Sequence, residues 1–465
     1  MSENYDVVVI GGGPAGSACS ALLAREGFKI LQLEQHKFPR FHIGESITAF
    51  GADAFKKLGV YEDLKAVNYV QKKGLEFVEH EKSRKVYFPQ SARNEPTGLP
   101  WAFQMARAKL DSVLLENARR NGVTVLEQHR VMKVLFDGDT AVGIEYKDVS
   151  NGRNGELKTA HARWIIDASG QGGVINRLLK DNCFNDYLLR EKVAVFCHWK
   201  GDIEVTNNDD DLNFKLCVHK NRRIWAWYIP VEKDTLSLGI VFDREALKNR
   251  NKGLDEFFYE YAKDIPFISD LVKNPALKTT MKFHSVKDYS YRSKNYYGKG
   301  WALVGDSAGF IDPVFSTGLM ITFNSAFKLV DVLTEALREE KPDYSRFKDY
   351  GEELDKYYRI NSTLVYLFYL SELDYSKFGN IWYLWKHVTW ANARFRTLFL
   401  WYSARLWASS TERRAEWFGD VLFGKVRKGN LMAKWFLSLA ENFEDIHQAK
   451  IKNAGPRQGF IELET

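Results

Sequence analysis

Residues 5–27 read YDVVVIGGGPAGSACSALLAREG: an apolar, β-branched run, a cluster of glycines, and a small-residue helical stretch. Gly11, Gly13 and Gly16 stand at G-x-G-x-x-G spacing between strand and helix, where missing side chains let a pyrophosphate approach the helix N-terminus. The next strand, KILQLEQ, carries Glu34 near its end, placed to accept hydrogen bonds from ribose hydroxyls. Glycine spacing alone is a weak signal. Strand, turn, helix and terminal acid together predict a βαβ unit that binds a dinucleotide.

Outward from this unit, a helical stretch from Ala108 to Asn121 leads to VTVLEQ, to strands around Val131 to Tyr146, and to the apolar strand RWIIDASG. From Val193 to Phe242 the pattern becomes long alternating strands with polar turns at HKNRR and VEKDT, which predicts an antiparallel sheet walling a substrate. The stretch Lys72 to Pro89 reads as strands joining that sheet. After WALVGD, a Pro-containing turn opens an amphipathic helix from about Thr317 to Glu339. From about Asp343 the chain reads as helical, with Trp382, Trp385, Trp390, Trp401, Trp407, Trp417 and Trp435 at spacings that suit helix packing. The expected division is 1–68 with 106–186 and 290–342 for the nucleotide domain, 69–105 with 187–289 for the substrate-side sheet, and 343–465 for the helical region.

With 465 residues, 45% hydrophobic and 14% aromatic, the chain can bury a sizeable core. Its net charge of +6 is scattered among acids without a single-sign run, which argues against nucleic acid as a partner. The best uncharged apolar run, Ser362 to Leu370, is too short to cross a bilayer. The first residues lack the basic, apolar and cleavage segments of a leader, so a cytoplasmic protein without membrane contact is expected. Four cysteines without C-x-x-C spacing suit reduced, buried thiols. Cys197 and His198, adjacent on an expected strand, would point to opposite faces, and no metal site is expected.

VGDSAGF, at Val304 to Phe310, resembles the Gly-Asp motif of glutathione-reductase-type flavoproteins, which implies that Gly305 and Asp306 meet the ribityl chain of FAD. FQMARAKLDSVLLENA resembles the flavin-monooxygenase segment in which Gln104 and Arg107 would face the cofactor. The implied fold is α/β: a Rossmann-like FAD-binding domain of the glutathione-reductase type, an antiparallel-sheet substrate domain and a C-terminal helical region. No second glycine fingerprint follows a strand, and Asp167-Ala168-Ser169-Gly170 stands where related hydroxylases carry an Asp-Gly motif used by NADPH. Reduced FAD is therefore expected from a separate NAD(P)H-dependent flavin reductase.

IWAWYIP, at Ile224 to Pro230, contains the W-x-W-x-I-P signature through Trp225, Trp227, Ile229 and Pro230 and resembles the flavin-dependent halogenases. The resemblance implies that the two indoles keep organic substrate from the flavin, so that halide meets the oxidant first. FIDPVFSTGL resembles the family's second signature through Phe310, Pro313, Ser316 and Gly318, and implies a halide site at Ser316, Thr317 and Gly318 for chloride, bromide or iodide. The helix that starts there offers free N–H groups and a positive dipole end. FPRFHIGESI resembles the family's flavin loop through Gly44, Glu45 and Ser46. In NYVQKKGLEF, Lys72 matches the family's essential lysine, with Lys73 on the opposite face of an expected strand.

The implied activity is oxidation of halide by O2 and reduced flavin to hypohalous acid, which Lys72 delivers to an electron-rich arene. Tryptophan halogenases carry a Glu immediately before the signature Ser, and here that position is Phe315. The loop and helix-start sequences look more like phenol and pyrrole halogenases, whose substrates are free in some cases and carrier-protein-tethered in others. A flavin hydroxylase, a geranylgeranyl-reductase-like enzyme and a non-catalytic FAD-binding module share the glycine fingerprint. They leave IWAWYIP together with Lys72 unexplained.

Overall fold

In the computed structural model, residues 3–372 are described apart from 48–50, 80–81, 88–101, 153–154, 187–188, 190, 202–213, 220–223 and 249–251. A mixed sheet forms the first layer. Its order is Tyr297–Gly298, Trp301–Leu303, Leu157–Asp167, Glu3–Ile10, Ile30–Glu34 and Thr124–Glu127, with His129–Asp137 and Thr140–Asp148 as an antiparallel arm. Val7, Val8 and Val9 are all fully buried, as expected for a parallel strand covered on both faces. Ile10 pairs with both Leu33 and Asp167, and Asp167 pairs with Leu303. The carboxyl ends of the strands are therefore level, and Gly11, Glu34, Ala168 and Gly305 leave the sheet along one edge, where ligands of such sheets sit.

The helix Pro14–Arg25 buries Ala15, Ala18, Cys19, Ala21 and Leu23, and packs against the helices Arg107–Arg120 and Gly318–Arg338. The small side chains let these helices approach closely. A second sheet runs Lys278–Thr279, Lys192–Lys200, Thr235–Asp243, Trp225–Glu232, Lys215–Val218, Gly74–Glu79 and Lys82–Tyr87. It is antiparallel except where Gly74–Glu79 lies parallel to Lys215–Val218. Alternation divides its side chains: Trp225, Trp227 and Ile229 join the core shared with the first layer, whereas Ala226 and Tyr228 join a second core under the helices Leu254–Ala262 and Pro266–Lys273.

Two differences from the sequence reading matter. Lys72 and Lys73 do not lie on one strand; they occupy a break between Val70–Gln71 and Gly74–Glu79. The first of these pairs with Phe103–Gln104 in a small sheet that also holds Ser46–Ile47, and the second belongs to the large substrate-side sheet. As the chain changes sheets, strict alternation lapses and both lysines become buried. The second difference is coverage: the helix Phe347–Glu372 is seen, but the seven late tryptophans, Pro89 and most of the HKNRR turn lie outside the described residues. Among the described residues, no helix is long and apolar enough to cross a membrane.

Candidate active site

A cavity of about 760 Å³ runs from the glycine turn to the signature strand. At its nucleotide end the glycines have separate tasks. Gly11 has φ +110°, and a Cβ there would sit 2.4 Å from the Ala168 carbonyl oxygen. At Gly16 a Cβ would lie 2.1 Å from the Gly11 oxygen. Both positions are required by the protein's own backbone. Gly13 is different: its nearest neighbour would be Arg40 Nη2 at 3.6 Å, so the space above it is open to the cavity.

Glu34 is buried and its carboxylate accepts from the Gly12 N–H at 2.7 Å and the His36 N–H at 2.9 Å. Arg107 donates to both oxygens of Asp111, at 2.7 and 3.0 Å, and Arg40 reaches the same carboxylate at 3.2 Å. Burial opposes ionisation of Asp111, but Arg107 and Arg40 more than offset it and hold the carboxyl below its usual range. Arg107 also donates to the Ile43 oxygen at 3.0 Å, which fastens the loop leading into Gly44. Asp306 lines the cavity below Gly305, whose φ of +62° makes the left-handed turn; burial pushes the Asp306 carboxyl up to about 6 against the pull of Arg107. Open space at Gly13, two cavity-lining arginines and a buried acid at the sheet edge fit a bound FAD. Gly16, Gly305 and Gln104 are expected cofactor contacts that do not line the cavity, and Gln104 differs from the two glycines in bringing a side chain. It is fully buried with an unpartnered amide among the described residues, and is not part of the cavity lining.

Gly44 has φ +102°, and Glu45 and Ser46 follow it into the cavity wall. Glu45 Oε1 lies 2.7 Å from His198 Nε2 as a close ion pair. Burial alone would lower the His198 pKa; Glu45 more than compensates and raises it. His198 faces this loop while Cys197 packs in the second core, so the strand separates them as alternation requires.

At the other end, Trp225, Trp227 and Ile229 line the cavity, and Pro230 is buried behind them. The Trp227 indole donates to Ser237 Oγ at 3.1 Å and lies across Gly239, where a Cβ would be 2.1 Å from its ring. Asp312 caps the turn Pro313–Phe315 by accepting from the Val314 N–H at 2.9 Å. Ser316 then adopts φ +56°, and the helix starts at Gly318 with Thr317 as its N-cap. Ser316 is thus not a side-chain cap for this helix; its hydroxyl lies 3.5 Å from Lys72 Nζ. Ser316 and Gly318 line the cavity and Thr317 is buried beside them.

Lys72 stands just behind this wall. Its Nζ donates to Ser46 Oγ at 2.8 Å and lies 4.3 Å from the centre of the Phe214 ring, both of which are cavity-lining residues. Burial lowers its pKa to about 7. The structure therefore gathers the 44–46 loop, the lysine and the helix start at one place. Sequence reading missed Arg40, Asp111, His198 and Phe214. A basic residue in the FPRFH segment could have suggested Arg40; the others become visible only through pairing across the fold.

This combination of sheet edge, glycine turn and buried acid defines an FAD-binding protein, and an FAD binding domain family model matches residues 4–357. A flavin-dependent halogenase of Armillaria mellea is 31% identical over 350 residues, covering 72% of this chain and 68% of that protein. The 1H-pyrrole-2-carbonyl-[peptidyl-carrier protein] chlorinase of Pseudomonas fluorescens is 28% identical over 398 residues, covering 78% and 85%. The solved structure of the myxobacterial chondrochloren halogenase superposes with a TM-score of 0.72 at 26% identity, covering 96% of this chain and 97% of that one. The tryptophan 2-halogenase of Chondromyces crocatus is 33% identical over 330 residues and covers 70% of this chain, but the match spans only 60% of that protein's length. The chain belongs to the flavin-dependent halogenase family.

Proposed function

We propose that this protein is an FADH2-dependent halogenase acting on a phenol or pyrrole-like substrate, presented free or on a carrier protein. The observation that carries the reading is the Lys72 amine, held between Ser46 and Ser316 behind the cavity wall formed with the signature tryptophans. Bound reduced FAD, with O2, supplies the two-electron oxidation of halide to hypohalous acid. Ser316, Thr317 and Gly318 hold the halide at the helix N-terminus, where free N–H groups and the dipole favour an anion. Trp225 and Trp227 keep the arene away from the flavin. Lys72, with its depressed pKa, presents a neutral amine that holds hypohalous acid by hydrogen bonding, or takes the halogen from it as the O–X bond breaks and water leaves, then passes the halogen to the arene and regains a proton as the ring loses its own. Reduced-flavin assays with bromide and a simple phenol test this: halogenated product supports it, while hydroxylated product or none overturns it.

Phe315 ends the Pro313–Phe315 turn, is buried in the core and brings no carboxylate to remove an arene proton. Electron-rich phenols and pyrroles need the least help from such a base, so in a competition read by mass spectrometry they are expected to be halogenated ahead of free tryptophan. A clear preference for tryptophan would reverse the substrate assignment. The carrier-protein chlorinase among the relatives supports including tethered pyrroles in the panel.

We also propose that a separate NAD(P)H-dependent reductase supplies the reduced flavin, because the sequence carries one nucleotide fingerprint and Asp167-Ala168-Ser169-Gly170 in place of an Asp-Gly motif. Asp167 is committed to the protein itself: it accepts from the Ser169 N–H at 3.0 Å and the Ile175 N–H at 2.6 Å. In stopped-flow mixing with NADPH or NADH, the FAD-loaded protein alone should not bleach its flavin. Rapid bleaching without a reductase would contradict the proposal.

A further inference from the structure

Behind the helix start, four buried side chains form one hydrogen-bonded chain, of which the chemistry above uses only the Trp225 ring. The Trp225 indole N–H donates to the Tyr369 hydroxyl at 2.9 Å. That hydroxyl donates to Asp312 Oδ2 at 3.0 Å, and the Tyr289 hydroxyl lies 3.5 Å from the same oxygen. The other carboxylate oxygen, Oδ1, accepts from the Val314 N–H. Trp225, Tyr289, Asp312 and Tyr369 are each at most 4% exposed. Lys192, 4.3 Å over the Tyr369 ring and paired with Asp243 at 2.7 Å, is the nearby cation.

A carboxyl buried this deeply is costly unless its oxygens are satisfied, and a chain satisfied at every member fixes geometry as much as it stabilises. Here it joins distant segments, with Tyr289 adding a fourth contact from the loop before Tyr291. Trp225 belongs to the signature strand, Tyr369 to the helix Phe347–Glu372, and Asp312 caps the turn that aims Ser316 and opens the helix at Gly318. The Tyr369 hydroxyl uses both its acceptor and its donor capacity, so its orientation is set and the two signature segments are held at a fixed separation.

We infer that Asp312 and Tyr369 are positioning residues for the halide turn, holding Ser316 and the helix N-terminus in register with the Trp225 indole. The inference rests on the halide assignment proposed above. Neither residue touches halide in this account; each acts through the Pro313–Phe315 turn. Loosening either would let the turn drift and misalign the N–H groups, while the FAD end of the cavity, which the same helix holds through Tyr358 on the Gly305 oxygen rather than through Tyr369, would keep its own bonds.

The test is bromide titration of oxidised, FAD-loaded protein, followed by the change in flavin absorption, on wild type, Tyr369→Phe, Asp312→Asn and Tyr289→Phe. Tyr369→Phe, which keeps the ring and removes two hydrogen bonds, and Asp312→Asn should each weaken bromide binding ~10-fold, with Tyr289→Phe nearer wild type. FAD affinity should stay at the wild-type value, and the bromide KM should rise while the rate of uncoupled peroxide release is kept. Bromide affinity within about 2-fold of wild type in both principal variants would overturn the inference alone. A matching loss of FAD affinity would also overturn it, because general loosening would then explain both. No saturable bromide signal in the wild type would remove the halide site, and the role built on it. If Asp312→Asn does not fold, the isosteric Tyr369→Phe decides the matter.

Discussion

Lys72→Ala is expected to lose halogenated product by ~10² to 10⁴-fold while FAD binding and peroxide release continue, the scale associated with removing an essential catalytic group. The residues proposed to hold FAD, Gly13, Arg40, Arg107 and Asp306, make none of the hydrogen bonds described for the lysine. Lys73→Ala should be milder, because Ser46 and Ser316 face the Lys72 amine. The measurement is product and peroxide from the same reaction. Activity in Lys72→Ala with a dead Lys73→Ala would move the role by one residue, and activity in both would remove it.

The same lysine gives a pH dependence with a definite sign. Burial lowers its pKa from 10.5 to about 7, so the neutral amine that can accept halogen becomes populated as pH rises through about 7. Product formed per flavin oxidised should rise across that interval and level off above it. The native state binds fewer protons at this site than the unfolded chain between about 7 and 10.5, so this group makes stability increase with pH over that window. A yield that falls through pH 7 would favour an ammonium that only donates a hydrogen bond.

Gly11→Ala should destroy FAD binding by damaging the fold. At φ +110° an L side chain is strained, and the new Cβ would stand 2.4 Å from the Ala168 oxygen. Ala168 cannot retreat freely, since its N–H donates to the Ile10 oxygen at 2.9 Å. A loss of more than about 3 kcal/mol in stability is expected from such a backbone clash. Gly13→Ala is the contrasting variant: with 3.6 Å of room its apo form should melt near wild type, yet FAD should bind far more weakly because the methyl occupies the approach to the helix N-terminus. Calorimetry and FAD titration on the two variants separate them, and equal melting temperatures would show the Gly11 argument to be mistaken.

The first layer was legible because its signals are local. An apolar strand, three glycines and a terminal acid lie within thirty-odd residues and each reports one backbone requirement. The face assignment on IWAWYIP was equally readable, since period-two alternation needs only the strand itself. Lys72 shows where such reading fails: its burial comes from a chain segment leaving one sheet for another, which alternation within a single strand cannot express. The partners of Glu45, Asp111 and Asp312 were also hidden, because each is met across the fold by residues with no sequence proximity. Glu34 is placed by the sequence to accept from ribose hydroxyls; that its oxygens also accept from the Gly12 and His36 N–H groups is visible only in the fold.

The level strand ends of the first sheet have a consequence for how the chain acquires its structure. Ile10 must find Asp167, and Asp167 must find Leu303, before the central strands are flanked on both sides. Parallel pairing at such separations carries a large loop-closure cost before any contact compensates it. The strand Glu3–Ile10, fully buried at Val7 to Val9, receives its neighbour Leu157–Asp167 only after about a third of the chain has followed it. Folding is therefore expected to be slow, with an early intermediate exposing an adhesive edge, and yields on refolding from denaturant should fall as protein concentration rises.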